Sequence, residues 1–171
     1  MRRALLPLVL LLNAAPAMSH PASTAYLEAQ AEGRQLTLRA DYALADLDDA
    51  LGLDGNGDGR ITWAEVQAAS PAVLAYLTPR LSVQGDGRDC PLALRPCLEI
   101  SQRNDGPYAV WQFSARCAQA PQTWRLDSRA LFELDSHHRV LLRFTQAGRE
   151  QRATLSPRQP SVTLSSRRAA Q

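Results

Sequence analysis

A chain of 171 residues, 45% of them hydrophobic, has the length and composition of one globular domain with a core. All 19 basic residues are Arg; two of them, Arg2 and Arg3, lie in an N-terminal leader, and the rest balance the 17 acids. A near-neutral mature chain argues against a nucleic-acid partner.

Residues 1–19 read as a secretory signal peptide. Arg2 and Arg3 form the charged region, residues 4–12 the apolar region, and Ala15-Pro16-Ala17 the small-residue cleavage motif. The apolar run falls far short of the roughly 20 residues a membrane helix needs, and Pro7 interrupts it. No Cys stands at the cleavage point to carry a lipid, and no later run reaches membrane length. The expectation is a periplasmic or secreted protein, with one domain over residues 20–166 and a frayed tail over 167–171. Cleavage after Ala17 makes His20 the third residue. Amine, two backbone nitrogens and imidazole then form a square-planar set for Cu(II) or Ni(II), so His20 is a candidate second metal ligand beside the bland reading of an ordinary terminus.

Residues 23–31 alternate loosely and predict a strand; Glu32-Gly33 is a turn. Residues 35–42 alternate Leu36, Leu38, Ala40 and Tyr42 and predict its hairpin partner. Residues 43–51 then read as a short helix with Leu44, Leu47 and Leu51 on one face.

Residues 54–65, DGNGDGRITWAE, match the EF-hand calcium loop D-x-[DN]-x-[DN]-G-x5-E at every specified position. Asp54, Asn56 and Asp58 take positions one, three and five. Arg60 at seven offers its carbonyl, Thr62 at nine its hydroxyl or a water, and Glu65 at twelve a bidentate carboxylate. Alternate side chains of a tight loop can point inward at one Ca²⁺, and Gly59 makes the turn that lets the second half wrap back. Ile61 at position eight is predicted to anchor the loop to the core. The competing reading is a Gly/Asp-rich surface turn. Helical patterns on both sides favour the metal reading: the exiting helix starts at Thr62 and runs to about Ala69. Ser70-Pro71 then reads as the cap and first position of a further helix, with Val73, Leu74 and Leu77 on one face.

The remainder reads as β. Residues 80–84 and 90–94 flank Gly85-Asp86-Gly87; residues 98–103 and 108–116 flank Asn104-Asp105-Gly106-Pro107. Strands over 123–132, 139–145, 151–155 and 161–164 follow. Short strands at this spacing predict an α+β fold: an antiparallel, Ig-like β-sandwich with an inserted helix–loop–helix EF-hand.

Other residues carry weaker signals. Cys90, Cys97 and Cys117 predict one disulfide and one odd thiol in an exported chain, and their spacing fits no zinc site. His137-His138 falls in a polar turn and reads as two solvated histidines, since neighbours in extended chain point apart. Trp63, Trp111 and Trp124 default to core packing. Residues 41–65 hold seven acids and one Arg, whereas residues 139–168 hold seven Arg and one Glu. No catalytic constellation emerges.

Several fragments together resemble a known family. They are a leader ending before His20-Pro21, AYL from Ala25, the stretch DYALADLDDALGLDGNGDGRITWAE, CPL at Cys90, DGPYAVWQF, and LFELDSHHR before a hydrophobic strand. The chain is similar to the exported N-terminal domain of HupE/UreJ-type membrane proteins, accessory proteins linked to nickel supply. The resemblance spans nearly the whole mature chain. It implies a Cys90–Cys117 disulfide with Cys97 extra, and a membrane-protein partner. Such proteins continue into membrane helices whereas this sequence ends at Gln171, so a free-standing or shortened version of the domain is expected and transport is not carried over. The favoured function is calcium binding by a non-catalytic exported module. The alternatives are a nickel, cobalt or copper accessory domain serving a membrane transporter, and an exported calcium-dependent hydrolase.

Overall fold

A computed structural model describes residues 23–165. Its strands form two sheets, in a β-sandwich-like α+β fold. The larger sheet has the order β5-β6-β2-β1-β8-β9, from β1 (Thr24–Glu32), β2 (Gln35–Ala43), β5 (Leu92–Arg103), β6 (Gly106–Arg116), β8 (Arg139–Gln146) and β9 (Arg149–Leu155). The smaller has the order β10-β7-β3-β4, from β3 (Leu81–Gly85), β4 (Arg88–Asp89), β7 (Thr123–Ser128) and β10 (Ser161–Ser165).

The alternation of the sequence sets which face is buried. Leu36, Leu38, Ala40 and Tyr42 of β2 point inward, as do Ala25, Leu27, Ala29 and Ala31 of β1. Small residues on β1 leave room for Trp111 and Phe113 of β6 and Phe144 of β8. Trp124, Leu126 and Val83 of the small sheet complete the same cluster. Two helices join it: α1 (Leu44–Leu51) through Leu44 and Leu47, and α2 (Trp63–Leu77) through Val66, Val73 and Leu77.

Four expectations need correction. The larger sheet is not wholly antiparallel, because β1 and β8 run parallel from Thr24↔Arg139 to Ala31↔Gln146. A parallel pair needs a long crossover, which the hundred or so residues between them supply. The two helices expected around Ser70-Pro71 are one helix, with Pro71 inside it. Ser70 does not cap a new helix; its Oγ instead accepts from Trp111 Nε1 at 3.4 Å. Residues 90–94 and 98–103 contribute to one strand, β5, broken in register between Arg95 and Leu98. The strand expected over 123–132 stops at Ser128, before Leu131 takes a left-handed φ of 68°.

Candidate metal centre

The loop at 54–65 hangs between helices that are both rooted in the core. α1 ends at Gly52, whose φ of 67° suits a left-handed cap, and Gly52 N–H donates to the Asp48 carbonyl. Leu53 is buried and Ile61 packs partly against the core, so the loop is pinned on both flanks. Asp48 Oδ1 accepts from Asp54 N–H at 2.8 Å and fixes where the loop begins.

Inside the loop, backbone N–H groups orient the acidic side chains. The Asp54 carboxylate accepts from the N–H groups of Gly57 (2.8 Å), Asp58 (3.2 Å) and Gly59 (2.7 Å). Asn56 Oδ1 accepts from Asp58 N–H at 2.8 Å, and Asn56 Nδ2 donates to Asp58 Oδ2 at 3.2 Å. Asp58 Oδ1 accepts from Arg60 N–H at 2.9 Å. Gly57 and Gly59 have φ of 72° and 77°, which side-chain-bearing residues rarely adopt. The turn therefore holds the Asp54 carboxylate on backbone N–H groups and joins the Asn56 and Asp58 side chains beside it.

Glu65 is placed differently. Its Oε2 accepts from the N–H and the Oγ1 of Thr62 at 2.8 and 2.7 Å, and Glu65 N–H donates to Thr62 Oγ1 at 3.4 Å. This is a capping box at the start of α2. The bonds from Thr62 hold the Glu65 carboxyl below the usual carboxylate range. Among the described residues, no three His, Cys, Asp or Glu side chains converge as a metal-holding group. The oxygens available in the loop are nevertheless of the kind a hard cation takes: carboxylates of Asp54 and Asp58, the Asn56 amide, the Arg60 carbonyl, and Thr62 and Glu65 at the far side. Oxygen donors of this kind suit a hard cation better than a soft one.

A second polar cluster was not foreseen. His137 is exposed as expected, but His138 is fully buried. Its Nδ1 lies 2.5 Å from Ser23 Oγ, which donates to Asp46 Oδ2 at 2.8 Å. Burial pushes the His138 imidazole down to about 4, and burial also raises the Asp46 carboxyl. Its Nε2 has no hydrogen-bond partner. Ser23, Asp46, Asp49 and Asp135 border a cleft of about 590 Å³ with the exposed Leu134 at its rim. The signal was indirect: a histidine one residue before a strand inherits that strand's alternation.

A third cluster is structural. Asp41, fully buried, accepts from Arg39 Nε at 2.8 Å and Arg103 Nη2 at 2.6 Å, and Arg103 stacks 3.7 Å over Tyr26. Two guanidiniums compensate one buried carboxylate. Cys90 and Cys117 are disulfide-bonded, with Cα atoms 4.5 Å apart, and Cys97 is free. Trp111 and Trp124 are core residues, but Trp63, the tenth position of the loop, is 46% exposed. His20 lies outside the described residues. No helix among the described residues is long and apolar enough to cross a membrane.

Neither a protein-family model nor a curated protein matches the chain.

Proposed function

We propose that this chain is an exported calcium-binding module with a single EF-hand and no catalytic role. The observation that carries the reading is the order inside residues 54–65. Three backbone N–H groups fix the Asp54 carboxylate, and Asn56 and Asp58 are bonded to one another beside it. A calcium ion here takes oxygens from Asp54, Asn56, Asp58, the Arg60 carbonyl, Thr62 and Glu65. The ion's part is structural or weakly sensory. The helix–loop–helix sits on an immunoglobulin-like sandwich, and the disulfide suits a periplasmic or secreted location. The resemblance to the exported domain of HupE/UreJ-type proteins adds a membrane-protein partner to the proposal.

Isothermal calorimetry of the purified chain with CaCl₂ tests this directly. One site per chain is expected, accompanied by a change in Trp63 fluorescence, since that indole alone of the three Trp is exposed beside the loop. No calcium heat and no fluorescence change would leave a Gly-rich turn and end the reading.

A further inference from the structure

The larger sheet ends in β5 on one side and β9 on the other. β9 is flanked by β10, and Gln151 Nε2 donates to the Ser165 carbonyl between them at 3.0 Å. Among the described residues, β5 has no strand beyond it. It is 12 residues long, and Leu94 and Ile100 on its inward face are 45% and 42% exposed. A long edge with exposed apolar side chains is a template for another strand.

The residues along β5 say which strand fits. An antiparallel pair of two β5 strands about a twofold at Cys97 sets Arg95 opposite Glu99 of the second copy, and Glu99 opposite its Arg95. The same register sets Leu94 opposite Ile100, twice, on the inward face. Faces agree, because Leu94 and Ile100 oppose Phe113 and Ala109 on β6, whereas Arg95 and Glu99 oppose Gln112 and Val110. Neighbouring registers do worse. Centring on Glu99 sets that carboxylate against itself and Arg95 against Arg103; centring on Leu98 sets Leu94 against Gln102. Like charges directly opposite are destabilising, and opposite charges and apolar pairs are stabilising.

We propose that β5 is a self-association edge, pairing antiparallel with β5 of a second copy in the register centred on Cys97. Pro96 has no N–H to offer, and the bulge at Pro96 and Cys97 interrupts the ladder. The pairing therefore runs as two arms, residues 92–95 against 99–102 of the second copy and the reverse. Proline and bulges are devices that blunt an edge against indiscriminate pairing. The dimer is accordingly small and weak, and depends on charge matching across both arms.

Cys97 supplies the reporter. Two Cys97 thiols and one oxidised glutathione give a Cys97–Cys97 bond and two reduced glutathiones, fastest where the thiols already face each other. The test uses the mature chain with its Cys90–Cys117 bond intact, alone and as the variants Arg95→Glu and Glu99→Arg, each checked for an unchanged fold by circular dichroism. Each variant alone places like charges opposite in both arms. A mixture of the two restores opposite charges in both arms. The expected result is cross-linking about tenfold slower for either variant alone, and recovery of the wild-type rate in the mixture as heterodimer. Peptide mass mapping should find the Cys97–Cys97 link. Equal rates for wild type and both variants, or a mixture no faster than its components, would overturn the proposal. So would a wild type that ends as the glutathione mixed disulfide and stays monomeric in sedimentation up to about 1 mM, the weak end of measurable association.

Discussion

On the proposed calcium reading Glu65 has two competing tasks. In the capping box it accepts from Thr62 twice; as the twelfth residue of a calcium loop it would have to swing to the cation. Glutamine still caps, but lacks the charge and the bidentate oxygens. Glu65→Gln should therefore weaken calcium binding by a factor of ten or more, by calorimetry, and leave the calcium-free melting temperature nearly unchanged. Thr62→Ala should do the reverse: lose about 1 kcal/mol of stability and much less calcium affinity. If both variants bind calcium alike, Glu65 is only a cap. His138 is a separate residue-scale case. Its folded pKa of about 4 lies below the unfolded value near 6.5, so the unfolded chain binds the proton more readily. Its contribution is fully present above pH 6.5 and is lost as pH falls toward 4, by up to about 3 kcal/mol. Asp46, whose carboxyl is raised, has the opposite sign and offsets part of that loss at the acid end. Stability measured by denaturant should fall from pH 7 to pH 4.5. His138→Asn, which keeps a polar atom toward Ser23, should flatten that slope; an unchanged slope would remove His138 as its source.

At the scale of elements, alternation identified most strands because a half-buried strand must alternate, and it carried the hairpin of β1 and β2 to within a residue at its ends, with the turn at Gly33-Arg34 and not Glu32-Gly33. It did not carry direction or partner. Nothing within residues 24–32 says that β1 lies beside β8, since that pairing joins segments at opposite ends of the chain. Pro71 misled for another reason. Proline marks a helix start by local preference, but Val66, Val73 and Leu77 all enter one core, and that packing keeps α2 continuous across the missing N–H. The Gly-hinged turn at residues 54–65 was legible because its residues are contiguous; the Ser23–Asp46–His138 cluster was not, because its members come from three separate segments of the chain. Gly85 shows the same limit. It reads as a turn glycine, yet a Cβ there would lie 2.8 Å from Pro121 Cβ and 2.9 Å from Cys117 Sγ. Gly85→Ala must push a proline ring or the disulfide aside. A loss of about 1 to 3 kcal/mol is expected in urea denaturation, the usual range for overpacking. A variant as stable as the wild type would mean that this corner yields freely.

At the scale of the whole molecule, the loop and the sandwich belong to one cooperative unit. α1 reaches the core through Leu44 and Leu47, and Asp46 ties it to Ser23 at the start of β1. α2 reaches the same core through Val66, Val73 and Leu77. An ion bound between the helices therefore acts on global unfolding, not on a detached hairpin. Among the described residues no second loop pairs with this one, and a lone EF-hand belongs in the weak extracellular range, with Kd roughly 10⁻⁴ to 10⁻³ M. At about 100 times Kd, binding the native state alone adds roughly 2.7 kcal/mol. For a domain of this size that raises Tm by about 5 to 10 °C. Mg²⁺ should give less, because it resists dehydration and demands six near-ideal ligands at short distances. Glu65→Gln should lose most of the calcium increment. The measurement is a thermal melt in chelator, in calcium and in equal magnesium, on wild type and variant. Superimposable wild-type melts in the three solutions would mean that the loop stabilises the fold through its own hydrogen bonds and takes no ion.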